Sequence, residues 1–198
     1  METASWSTAD IEPRRRFEYW NDLVVEAVCG VHVTQPSRHD FAATIFTRRL
    51  QDTAFTPFHS PAHEIDRTSR DIPRHGSDAY LLSLQLGGIA QLRQGSRESV
   101  LKPEKLGIVD ARQQFSVTLS GDVCRMVAVL PRRLVHRYAP MWRGNTLHIG
   151  ETEPCVDLIR ELVLRLADPA FAADGAVAEV LGENLCALIG GGGWSPRR

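Results

Sequence analysis

From residue 80 to 129 apolar and polar side chains alternate with a period near two. Turn residues break the alternation roughly every 8 to 12 positions, which is the pattern of short antiparallel strands. The strands predicted on this basis cover residues 80–86, 90–93, 98–101, 106–109, 115–119 and 123–130. They are separated by Gly87-Gly88, Gly95-Ser96, Lys102-Pro103-Glu104, the polar corner 110–114 and Ser120-Gly121-Asp122. Such a series favours a barrel or sandwich that encloses a small cavity. Side chains alternate across a strand, so Leu82, Leu84 and Leu86 share one face and Leu81, Ser83 and Gln85 the other. If the leucines lie beneath helices, Ser83 and Gln85 point into the cavity; otherwise the two polar residues face water.

Outside this stretch the period changes. Phe17, Trp20, Val24 and Val28 recur at helical spacing after Pro13, which suits a first helical turn, and Gly30 ends the run; this predicts an amphipathic helix over 14–29. Residues 1–12 are polar and read as a mobile arm. Residues 31–34, 41–50, 53–60 and 64–68 read as strands, 69–77 as a polar connection and 132–138 as a short helix. A loop with Trp142 follows. Thr152 is placed to cap a helix whose apolar face carries Val156, Ile159, Val163 and Leu166, extended by Leu158 and Leu162 and ended by Asp168-Pro169. A second helix carries Val177, Val180, Leu181, Leu185 and Leu188, and both apolar stripes are wider than one contact face requires. The expected division is an arm over 1–12, a barrel with its helix over 13–150, a helix pair over 151–190 and a flexible tail over 191–198, because four consecutive glycines do not continue a helix.

Composition narrows the chemistry. A chain of 198 residues with 43% hydrophobic residues suits one domain with an ordinary core. The net charge of -1 supplies no basic field for nucleic acid, and Lys102 and Lys105 are the only lysines. Cys29, Cys124, Cys155 and Cys186 are scattered through apolar runs with no Cys-x-x-Cys pair. They read as small buried hydrophobes, in neither a disulfide framework nor a zinc site. No signal segment or membrane-length apolar run occurs, so the expected compartment is the cytoplasm. His59, His63 and Glu64 suggest a metal site, but Pro61 forbids the helix that would align the two histidines, and residues 80–130 contain no histidine. No nucleophile elbow, phosphate-cradling loop or His-Glu-x-x-His pair is present. The expectation is therefore no metal, no cofactor and no enzymatic activity.

A succession of short motifs adds to this reading. Leu86-Gly87-Gly88, Gln94-Gly95-Ser96-Arg97, residues 101–106 (Leu-Lys-Pro-Glu-Lys-Leu), Val109-Asp110 and Leu130-Pro131-Arg132 follow one another in the order found in the cupin-like sensor domain of AraC-family transcription regulators. With the amino-terminal helix and Arg67-Thr68, the chain resembles the AraC-binding-like subgroup over residues 13–190. It departs from that pattern where Pro103-Glu104-Lys105 replaces Pro-Gly-Asp and where Ser96 separates Gly95 from Arg97.

The resemblance implies a mainly β, α+β fold: a cupin-like antiparallel barrel or jelly roll flanked by an amino-terminal helix and a carboxyl-terminal helix pair. It also implies a small-molecule effector in the barrel and a homodimer built on the helix pair, through Val156, Ile159, Leu162, Val163 and Leu166. Arg67 is the candidate partner for a carboxylate ligand, with Tyr80, Ser83 and Gln85 as further wall positions. In the family a DNA-reading half follows; only nine residues remain after Ile189, so no DNA contact is expected from this chain. The alternatives are a fragment that heterodimerises with an intact regulator, a metal-dependent cupin enzyme, or a truncated gene product.

Overall fold

The computed structural model of the chain describes residues 2–34, 40–140, 148–149, 155–171 and 175–191. Along it run β1 (Glu2–Ser7), a 3-10 turn (Pro13–Arg15), α1 (Arg16–Ala27), β2 (His32–Thr34), β3 (Thr44–Leu50), β4 (Thr53–Ser60), β5 (His63–Arg67) and α2 (Asp71–Arg74). These are followed by β6 (Ala79–Gln94), β7 (Arg97–Leu101), β8 (Leu106–Asp110), β9 (Phe115–Pro131), α3 (Arg132–Tyr138), β10 (His148–Ile149), α4 (Val156–Ala167) and α5 (Gly175–Gly191).

Two strands organise the rest. β6 and β9 are each twice the length expected, because Gly87-Gly88 and Ser120-Gly121-Asp122 bend a strand instead of ending it. They pair antiparallel from Ala79 opposite Pro131 to Arg93 opposite Ser116, with the register shifting between Gln85 and Ile89. Gly88 has φ +70° and Gly121 φ +80°, and a Cβ on Gly88 would lie 2.8 Å from the Ser120 carbonyl oxygen. Only glycine allows the two backbones to approach so closely at the bend.

The bend distributes the remaining strands. The first half of β6 is flanked by β8 and the second half of β9 by β4, giving a layer in the order β1-β3-β4-β9-β6-β8-β10. The other halves carry β7 and the β2-β5 pair. The result is a cupin-like folded sheet that does not close; among the described residues the path ends at β1 on one side and β10 on the other. Of the expected forms, barrel or jelly roll, the sheet takes the second: two facing layers joined by the β6–β9 ribbon.

The arm expected at the amino terminus is likewise a strand over Glu2–Ser7. It pairs in register with the open edge of β3, from Glu2 opposite Arg49 to Ser7 opposite Thr44. Thr8 extends the attachment by donating its hydroxyl proton to the Phe41 carbonyl at 2.7 Å. Polar side chains at Thr3, Ser5 and Ser7 hid the strand in a segment that reads as solvated chain, while the unpaired backbone groups of β3 supplied a reason to order it.

The buried apolar side chains of the layers fall into two cores. Between the layers lie Leu81, Val109, Val117 and Val127 with Trp20, Leu23 and Val24 of α1. On the outer face of the larger layer lie Tyr80, Leu82, Leu84, Ile108 and Met126, covered by α3, α4 and α5. Val156, Ile159, Val163 and Leu166 are buried in this second core and Leu162 packs against it. The stripe expected to form a dimer contact is therefore spent within the chain, and Leu158, Leu164, Val177 and Val180 are the exposed apolar residues of α4 and α5.

α5 also runs on through Gly190 and Gly191, against the expectation that the glycines stop it. A Cβ at Gly190 would lie 2.8 Å from the Val135 carbonyl oxygen and 3.0 Å from the Ala139 Cβ. The glycine lets α5 press on α3, and packing outweighs its weak helix propensity, which costs about 1 kcal/mol. The expected cap at Thr152, the loop with Trp142 and residues 192–198 of the expected tail lie outside the described residues.

Candidate functional site

The space between the layers narrows to a cavity beneath α1. Val24 and Val28 form its roof, Ile45, Phe58, Leu81 and Val127 one wall, and Ile65, Phe115 and Val117 the other. The polar side chains in the lining are Ser83 and Arg125. Water centres can occupy about 40 Å³ of it, which is room for a very few water molecules.

Ser83 and Arg125 reach the cavity for the same reason. On β6, Leu81 and Ser83 point between the layers while Leu82 and Leu84 point at the helices. Strand β9 repeats the arrangement, with Val123, Arg125 and Val127 facing inward and Met126 and Ala128 outward. Of the two readings of residues 80–86, the geometry selects the inward one for Ser83. Gln85 is fully buried and stands opposite Arg125 in the ladder. Its Oε1 accepts a 2.9 Å hydrogen bond from Arg125 Nη1, and its own amide donates to the Gly87 carbonyl at 2.6 Å.

Arg125 is 3% exposed, and desolvation pulls its pKa down to about 10, so it remains a cation at neutral pH. His63 is fully buried nearby. Its Nδ1 lies 2.9 Å from the Pro61 carbonyl, which fixes the proton there and leaves Nε2 a bare acceptor without a partner. Burial, with the positive charge of Arg125 as a further contribution, pushes His63 down to about 4. Trp20, Phe41 and Phe58 pack around the ring, so it reads as a neutral core imidazole. Among the described residues no three His, Cys, Asp or Glu side chains converge as a metal site would need; His59 meets Asp122 at the surface instead.

Arg67 and Tyr80 stand elsewhere. The Arg67 guanidinium is 1% exposed and donates to three backbone carbonyls, those of Ala111 (2.7 Å), His75 (2.8 Å) and Gly30. It clamps the β5 end, the β8–β9 corner, the α1–β2 connection and the end of α2 together, with each of its three nitrogens donating to one carbonyl. Tyr80 has the parity of Leu82 and lies on the helix side. Arg132 donates to its hydroxyl, which lies 2.9 Å from His136 Nε2, while Asp110 holds the same guanidinium. Tyr80 therefore anchors α3 to the sheet, and burial raises its phenol to about 12. Arg125 was missed in the sequence, although a lone cation inside the apolar run Val123 to Val127, in step with its inward residues, was a visible signal.

Two facing β layers with an apolar cavity between them, a helix roof and a helical cover on the far side define the class: a cupin-like binding domain. The AraC-binding-like domain family matches residues 20–189, and the chain belongs to that family. An uncharacterized protein in the nit 5′ region of Bacillus sp. (strain OxB-1) is 26% identical over 186 residues, which cover 92% of this chain and 71% of that protein. The crystal structure of the AraC-like transcriptional activator CuxR superposes with a TM-score of 0.82 at 15% identity, over 100% of this chain and 72% of that one. The likeness in fold thus extends to β1 and the α4–α5 region as well as to the sheet. No helix among the described residues is long and apolar enough to cross a membrane.

Proposed function

We propose that the chain is an effector-sensing domain of an AraC-type transcription regulator that works in the cytoplasm, binds its small molecule without transforming it, and makes no DNA contact of its own. The observation that carries this reading is the cavity: it is apolar, lies between the layers, is served by Ser83 and Arg125, and is roofed by the α1 residues Val24 and Val28. Membership of the AraC-binding-like family supports the same assignment. A ligand larger than the present space must displace that roof, and it shifts the protein only by as much as it prefers the displaced arrangement. Homodimerisation through the outer surface of α4 and α5 belongs to this proposal, with Leu158, Leu164, Val177 and Val180 as its apolar residues. Pairing with an intact regulator through the same surface is the second reading.

A thermal-shift screen of small anionic, neutral and cationic compounds tests the sensing reading. A true effector raises the melting temperature, and Ser83→Leu, which fills the cavity, abolishes the rise. If the filled variant responds as the wild type does, the ligand sits elsewhere and the cavity reading falls.

A further inference from the structure

Arg48, Arg67 and Arg125 are the buried arginines among the described residues and Arg132 is part-buried; in all but Arg125 the guanidinium is held by three backbone carbonyls or by a carboxylate. Arg67 donates to three carbonyls, Arg48 to the carbonyls of Leu166, Asp168 and Phe171 at the end of α4, and Arg132 to the carboxylate of Asp110. Arg125 differs. Among the described residues its hydrogen-bond partner is the neutral Gln85 Oε1, and no carboxylate stands beside it. It is also the one of the four that lines the cavity.

An uncompensated guanidinium in such surroundings is costly, and proteins avoid it unless a partner arrives. Gln85 does not neutralise the charge, but it orients it, since its amide is fixed on the Gly87 carbonyl and its oxygen is thereby turned toward Nη1. The remaining donors of the fork are of the type that grips a carboxylate. Ser83, on the same face of β6, adds a hydroxyl to the lining. Every other lining position is a hydrocarbon side chain or the Cys29 thiol. One cation with apolar walls suits a single negative charge on an apolar body, and offers nothing to a sugar or to a polyanion.

We propose that the ligand of this cavity is a small monocarboxylate with an aliphatic or aromatic body, its carboxylate held by Arg125 with Gln85 as the residue that positions the guanidinium. The assignment rests on the sensing reading and specifies its ligand. Entry of the body lifts Val24 and Val28, which connects charge recognition at β9 to movement of α1.

The probes are benzoate, phenylacetate and hexanoate, each beside its amide, with inorganic phosphate as the bare anion, tested on the full chain by calorimetry and thermal shift. Expected is binding of at least one acid about tenfold or more tighter than its amide, the factor a charge-assisted hydrogen bond supplies. Arg125→Met is expected to lose that preference while melting, without ligand, at or above the wild-type temperature. The second readout matters because a structural arginine would lower it. Amides that bind as well as acids, or an Arg125→Met variant that keeps the preference, overturn the carboxylate assignment and leave sensing intact. Phosphate as effective as the acids overturns the apolar body and marks an adventitious ion only. Silence from all seven probes overturns this assignment, whereas a ligand from another chemical class that depends on Ser83 preserves the sensing reading.

Discussion

At the scale of single residues, the buried polar groups divide by what satisfies them. Arg67 is a backbone clamp, so Arg67→Ala leaves the Ala111, Gly30 and His75 carbonyls without donors. Each orphaned buried acceptor costs about 1–3 kcal/mol, and the variant is expected to lose roughly 3–5 kcal/mol in urea unfolding. His63 acts through protons. Its pKa is about 4 in the folded chain against an ordinary 6.5, so below 6.5 the unfolded chain binds a proton that the folded one refuses. Stability is therefore unaffected by this residue above pH 6.5 and declines as the pH falls toward 4, by roughly 3 kcal/mol in all. His63→Phe should lose markedly less stability than the wild type between pH 7 and pH 4.5. Equal losses in the two proteins would place the acid sensitivity elsewhere.

At the scale of elements, the turn between β7 and β8 shows the chain departing from its family pattern at a measurable cost. Lys105 N-H donates to the Lys102 carbonyl at 3.1 Å, with Pro103 at the second position of the turn and Glu104 at the third with φ +71°. That is the arrangement of a type II turn, whose third position favours glycine, the residue that the resembled pattern has there. The conformation is held because Glu104 N-H donates to the Gln85 carbonyl at 2.7 Å and Gln85 N-H to the Lys105 carbonyl at 3.1 Å, which pin the turn beside the site. Glu104→Gly is expected to raise stability by about 1 kcal/mol, read as a higher urea midpoint at unchanged slope. The departure in sequence thus left the turn in place and moved its cost into backbone strain.

For the whole molecule, the larger layer is shared between two tasks, with the cavity on one face and the helical cover on the other. Consecutive residues of β6 join the two faces, Ser83 in the lining and Leu82 and Leu84 under α3 to α5, so the proposed sensing has only one strand to cross. Because the inner stripe of α4 is occupied, association in the proposed dimer must use what remains outside. Val180→Glu, at a position 56% exposed, is expected to leave the fold intact and convert a dimer to a monomer in light scattering. Ile159→Glu, by contrast, should unfold the chain. A dimer that survives Val180→Glu and Leu158→Glu together would exclude this face.

The periodicity alone specified the antiparallel strands, the amphipathic helices and the parity that puts Ser83 and Gln85 on one face and Leu82 and Leu84 on the other, because these depend on side-chain alternation local to each strand or helix. Which face is inward was decided by the helices packed on Tyr80, Leu82 and Leu84, and that choice put Ser83 and Arg125 in the cavity lining and Tyr80 outside it. Tertiary structure decided the rest. Whether a glycine pair ends a strand or bends it depends on the strand lying across from it, as Gly88 against Ser120 and Asp122 shows. Whether a polar stretch is an arm or an edge strand depends on an open edge, which β3 provides. Whether a buried arginine is a clamp or an unmet charge depends on which carbonyls the fold brings to it. Most of those partners lie tens of residues away in the chain, as Gly30 and Ala111 do from Arg67, and no local pattern records them.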